Sequence, residues 1–165
     1  MSLLASLSAA HQQIERGLTA LQSPALLAAR LYVGWQFWKA GVLKYQSWDT
    51  TLDLFREEYQ VPLLSPEAAA WLGTAGELAF PALLFVGLAS RLAALGLSAV
   101  NVMAVVAYAH VLFTDGFEAA VGQHVLWGVL LAMIALWGGG RLSLDALLAG
   151  RRRTPVGAGA PQAAS

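Results

Sequence analysis

Four stretches of this chain are each predominantly apolar over roughly 17–25 residues, the length a helix needs to cross the hydrocarbon core of a bilayer. They run over about 23–43, 68–88, 92–113 and 121–137. Such runs leave the backbone few options, because every amide inside the hydrocarbon must find its partner within its own helix. Composition agrees, with 58% of the 165 residues hydrophobic and only 12% charged, where soluble domains carry about 25% charged residues. The expected fold is therefore all-α, an integral membrane four-helix bundle in one domain spanning 23–148.

The connections are unequal. A long loop over 44–67, rich in acidic and aromatic residues, follows the first span, whereas "ASR" and "TDGFEA" close the other two turns. Before the first span, Leu3, Leu4, Leu7, Ile14, Leu18 and Leu21 recur at helical spacing, so 1–22 reads as an amphipathic helix lying at the membrane surface. The opening "MSLLASLSAAHQQ" has no basic segment before its short apolar stretch and is not expected to be a cleaved signal. Pro81 is expected to kink the second span. "WGGGRLSLDALL" suggests a short helix capped by Ser143, and the small-residue tail 149–165 is expected to be disordered.

Basic residues flank the spans asymmetrically. Arg91, Arg141, Arg151, Arg152 and Arg153 lie on one side, while the other holds Asp49, Asp53, Glu57, Glu58, Glu67, Asp115 and Glu118. Arginine excess marks the cytoplasmic side, which puts both termini in the cytoplasm and the long loop outside. Ten basic and ten acidic side chains cancel, so no nucleic acid partner is expected. With no cysteine there is no disulfide, thiolate metal site or dithiol relay.

Polar groups inside the spans carry the functional information, because ionisable residues at membrane depth usually face the bundle interior. Counting 1.5 Å per residue from the outer ends, Lys39 lies about 9 Å deep, Gln36 about 14 Å and Glu77 about 12 Å. His110 and His124 lie about 5 Å deep, with Gln123 beside His124. Arg30 and Asn101 form a deeper layer. Lys39 and Glu77, opposite in charge and similar in depth, suggest a buried pair, with His124 as their proton-exchanging neighbour. Trp35, Gln36, Trp38, His110 and Gln123 complete a set that suits a flat ligand. The plainer readings are snorkelling lysines, a structural ion pair at Glu77, interfacial histidines and core tryptophans. Snorkelling suits Lys44 better than Lys39.

Three segments carry a resemblance. "LLAARLYVGWQFWKAGVLK" resembles the first-helix signature of the DoxX family, an Arg followed by Gly-x-x-Lys, here Arg30, Gly41 and Lys44. "GELAFPALLFVGLASRLAAL" resembles its second, a membrane glutamate followed by Gly-Leu-x-x-Arg, here Glu77, Gly87, Leu88 and Arg91. "GGGRLSLDALL" is similar to the closing Gly-Pro-Gly-Arg-x-Ser-x-Asp, with Gly139 where Pro is usual. The resemblance covers about 24–148 and implies a four-helix protein of the bacterial inner membrane associated with membrane redox chemistry. Members of the family include subunits of a thiosulfate:quinone oxidoreductase and components of oxidative-stress complexes; others resemble accessory proteins of metal-handling peptide systems. Many members carry a carboxylate near the start of the fourth helix, where Gln123 and His124 stand here.

Two functions follow as expectations. One is a quinone-interacting subunit of a membrane redox system, with catalytic groups Lys39, Glu77 and His124 and electrons supplied by a protein partner, since no flavin or iron–sulfur motif is present. The alternative is a non-catalytic scaffold that docks a partner on the outer loop. Haem or a divalent metal between His110 and His124 is less favoured, because histidines flanking one hairpin are close in any case. Lipid contact is expected throughout, with a protein partner or a second copy of the chain beside it.

Overall fold

The computed structural model describes residues 3–152, with side chains over 7–150. Its elements are seven helices: α1 Leu3–Gln46, α2 Trp48–Glu57, α3 Pro66–Val86, α4 Ser90–Ala107, α5 Ala109–Leu112, α6 Glu118–Trp137 and α7 Leu144–Arg152. The long helices pack in a ring in chain order, α1 on α3, α3 on α4, α4 on α6 and α6 back on α1. This is the four-helix bundle the apolar spacing predicts. α3, α4 and α6 are long and apolar enough to cross a membrane. α1 is long enough, but Arg30, Gln36 and Lys39 dilute its apolar stretch.

The ring closes around one apolar core. Leu26, Ala29, Val33 and Phe37 recur at three- and four-residue spacing along α1 and meet Leu84, Ala93, Ala94, Leu97, Leu131 and Ile134 from the other three helices. That spacing keeps one face of α1 inward for three turns. A second cluster, Phe55, Ala69 and Ala70 with Trp48 and Tyr59, seats α2 against the start of α3.

The structure corrects several expected boundaries. No helix end separates 1–22 from 23–43: α1 runs unbroken through Ser23 and Pro24. Ser23–Pro24 looks like a cap followed by a first-turn proline. The carbonyl that Pro24 orphans belongs to Ala20, which is exposed, so the missing bond falls outside the packed core. The side chains of Leu3 and Leu4 lie outside the described residues. α3 likewise continues through Pro81, which is fully buried. The third span ends earlier than expected, at Ala107, whose carbonyl accepts from Gln60 N at 2.9 Å. The expected disordered tail is helical over 149–152 as the end of α7; its remainder lies outside the described residues.

At the end of the bundle bearing α7, Arg30 is the largest fully buried side chain. Its Nη1 donates to Leu84 O at 3.1 Å and its Nη2 to Leu142 O. It thus ties α1 to the close of α3 and to the chain after α6. Gly87 ends α3 at φ 70°, and a Cβ there would strike the Arg30 guanidinium and Ser143, so only glycine fits both the conformation and the space. Asp145 accepts from Ala89 N at 2.7 Å and Ser90 N at 2.8 Å, capping α4 from 55 residues away. Arg30, Gly87 and Asp145 of the resemblance motifs are therefore structural fastenings.

Candidate functional site

At the opposite end, where α2 covers the bundle, lies a cavity of about 490 Å³, within the range of small-molecule sites. All four long helices contribute to it: Gln36, Phe37, Ala40 and Lys44 from α1, Gly73 and Glu77 from α3, Val100 and Met103 from α4, and His124 and Trp127 from α6. Phe55, Tyr59 and Tyr108 border it on the side of the long loop. Gln36, Ala40 and Lys44 recur every four residues, so one stripe of α1 faces the space.

Its centre of charge is an ion pair. Lys44 Nζ donates to both carboxylate oxygens of Glu77, at 2.7 Å each. The side chains are 20% and 9% exposed. The approach depends on Gly41, one turn earlier on α1, where a Cβ would sit 3.0 Å from Glu77 Cβ and from Leu78. A larger residue would push α1 and α3 apart at the level where the pair forms. Thr51 Oγ1 donates to Lys44 O at 3.0 Å, holding the end of α1 to α2.

The second polar group is set by elimination. Asn101 lies 3.0 Å from the carbonyl oxygen of His124 and 2.7 Å from the ring Nδ1 of the same residue. A carbonyl only accepts, so the Asn101 amide nitrogen faces it and Oδ1 faces the ring. His124 Nδ1 must then be the donor, leaving Nε2 with the free lone pair of the neutral imidazole. The ring also lies edge-on to Trp127 at 4.9 Å, and Trp127 to Phe37 at 5.3 Å. The buried Trp127 Nε1 has no hydrogen-bond partner among the described residues.

Of the residues expected from sequence, the cavity gathers Glu77, His124 and Gln36. The expected Lys39–Glu77 pair is not formed: Lys39 is exposed, and Lys44 takes its place. Five residues on a helix turn the side chain by about 140° and advance it by about 7.5 Å, so the two lysines face differently and only Lys44 meets α3. Trp35, Gln123 and His110 are exposed and outside the cavity, His110 against the Tyr108 ring at 5.6 Å. Trp38 packs on Phe85 at 5.9 Å, also away from it. Among the described residues no three of His, Asp and Glu converge as a metal site. Asn101, expected in a deeper layer with Arg30, is the partner of His124 instead.

Tyr59 and Tyr108 were not legible as wall residues. They belong to the loop and to the break after α4, and their rings meet edge-on at 5.4 Å. Burial, reinforced by Tyr108, Glu77 and Glu58, pushes the Tyr59 phenol above its ordinary value.

The sequence model of the DoxX family matches residues 25–111, a segment that carries Arg30, Gly41, Lys44, Glu77, Gly87 and Arg91. A protein of Haemophilus influenzae (strain ATCC 51907 / DSM 11121 / KW20 / Rd), described as uncharacterized, is 28% identical over 131 residues, covering 75% of this chain and 83% of the relative. No solved structure matches. The matched segment is more than half of the chain, and its polar residues form both the arginine fastening and the lysine–glutamate pair: the protein belongs to the DoxX family of membrane proteins.

Proposed function

We propose that the cavity binds the ring of a membrane quinone and that the protein serves a membrane redox system as its quinone-interacting subunit. The observation that carries this reading is the Lys44–Glu77 pair in the wall of a largely apolar cavity. A quinone ring needs an apolar slot and donors for two carbonyl oxygens. Phe37, Val100 and Met103 supply the slot. Lys44 is a donor in its wall, and Tyr59 and Tyr108 are further hydroxyl-bearing residues that line it. When bound, such a ring accepts two electrons and two protons.

The residues then have distinct tasks. Lys44 Nζ has three hydrogens, and the Glu77 oxygens engage two of them. The third is free to meet an oxygen that gains negative charge, and a preorganised cation is most effective where water is excluded. Glu77 fixes that ammonium in place. His124 holds its Nδ1 proton against Asn101, so protons come and go at Nε2. Electrons come from a partner redox protein. In this reading the protein sits in a bacterial inner membrane with both termini in the cytoplasm, as the arginines flanking the α7 end favour.

The test is mass spectrometry of the small molecules retained by the protein in mild detergent, with Glu77→Gln and Lys44→Met beside the wild type. Quinone near one per chain, reduced at least tenfold in both variants, is the expected result. A folded wild-type protein that carries only bulk phospholipid overturns it.

A further inference from the structure

The α7 end carries a second concavity, an open groove of about 1030 Å³. It exists because α1 does not stop at Ser23. The amino-terminal half of the helix continues past the bundle and forms a wall facing the turn after α6. The backbone of Arg141 is fastened to that wall by a 3.0 Å bond from its N–H to Ser23 Oγ.

Three arginines line the groove, Arg16 from α1, Arg91 from the start of α4 and Arg141 from the turn after α6. All three are exposed, and among the described residues no hydrogen bond or ion pair engages their guanidinium groups. The two carboxylates in the same groove leave the three guanidinium charges in excess. Asp145 caps α4, and Glu15 lies 3.2 Å from His11. The groove thus presents unspent positive charge. Beside it the apolar faces of the bundle begin, with Leu92 71% and Trp137 59% exposed. A ligand seated here meets guanidinium groups at one level and bare hydrocarbon-facing side chains at the next.

We propose that this groove is a binding site for the head group of an anionic phospholipid. The phosphodiester takes paired N–H donors from Arg91 and Arg141, as guanidinium forks favour. Arg16 closes over it from α1, and the acyl chains run along Leu92 and Trp137. Basic pockets between helices at a membrane surface hold anionic lipids in this manner. The site is at the opposite end of the bundle from the quinone cavity and does not depend on that reading.

The test is native mass spectrometry of the full-length protein in detergent, titrated with phosphatidylglycerol or phosphatidylcholine. The expected preference for phosphatidylglycerol is roughly tenfold. It falls below about twofold in Arg91→Gln/Arg141→Gln, and survives when Arg151, Arg152 and Arg153 are replaced by Gln. Arg16→Gln weakens it too, and this variant tests the proposal should the double variant misfold, because Arg16 fastens nothing in the fold. Unchanged preference in folded Arg91→Gln/Arg141→Gln, or in Arg16→Gln if the double variant does not fold, overturns the site. So does displacement of bound lipid by millimolar inorganic phosphate, which would make the groove a pocket for a free anion.

Discussion

Lys44 reaches across 33 residues of sequence to hold both oxygens of Glu77, each at 2.7 Å, and the bond joins the two most closely packed helices of the bundle.

Removing one partner of such a pair strands the other. Lys44→Met is expected to lower stability by about 3 kcal/mol, since a buried carboxylate loses its counter-charge, whereas Lys44→Met/Glu77→Leu recovers most of the loss. Lys39→Ala, on an exposed face, is expected to stay within about 0.5 kcal/mol of the wild type. Unfolding in mixed detergent micelles measures all three.

Much of the bundle was legible in the sequence, because apolar length alone dictates helices in hydrocarbon. Glu77 was legible for the same reason, as a carboxylate within an apolar run with no water to excuse it. Its partner was not. Depth counted along the helix favoured Lys39, because Lys44 lies about 7.5 Å nearer the end of the span, but which lysine meets Glu77 is settled by packing against α3. The stripe Gln36, Ala40, Lys44 was the available signal. The unbroken α1 was hidden by a different cause: Ser23–Pro24 has the local chemistry of a helix start, and only tertiary contacts, such as the Arg141 bond to Ser23, show the chain continuing. Tyr59 came from the long loop, where no periodicity announces a wall, and Tyr108 from a break that the apolar run over 92–113 does not announce.

Gly87 combines a left-handed backbone with a space already filled by Arg30 and Ser143. Gly87→Ala is expected to cost at least about 2 kcal/mol, from strain at positive φ and displacement of the buried guanidinium. Gly17→Ala, where a Cβ meets nothing within 4 Å, instead gains up to about 1 kcal/mol. Paired thermal unfolding curves give both signs.

Asp145 makes the α4 cap sensitive to acid. Burial opposes its ionisation, but bonds from Ser90 and Ala89 and the nearby Arg30 charge outweigh it and hold the carboxyl below its ordinary value of 3.8. A depressed folded value contributes stability above pH 3.8 that is lost as pH falls through it. Stability measured from pH 6 downward is therefore expected to drop more steeply in the wild type than in Asp145→Asn. At neutral pH Asp145→Ala costs about 1 kcal/mol through loss of the cap.

Tyr59 acts at the other extreme. Its phenol is held above the ordinary value of 10.0 by burial and by its acidic neighbours, so the folded protein resists the ionisation that the unfolded chain undergoes freely. The stability it contributes is complete below pH 10.0 and fades as pH rises through the folded value. Absorbance titration should show one late-ionising tyrosine, absent in Tyr59→Phe, and the alkaline loss of stability should shrink in that variant.

The 44 residues of α1 make a rod about 66 Å long, longer than the roughly 40–45 Å of a whole bilayer with its head groups. Arg16 lies about 20 Å from the amino-terminal end of that single rod and Lys44 almost at the other, about 42 Å apart. One helix therefore walls both the arginine groove and the lysine–glutamate cavity, so a tilt of the shaft displaces a wall of each at once.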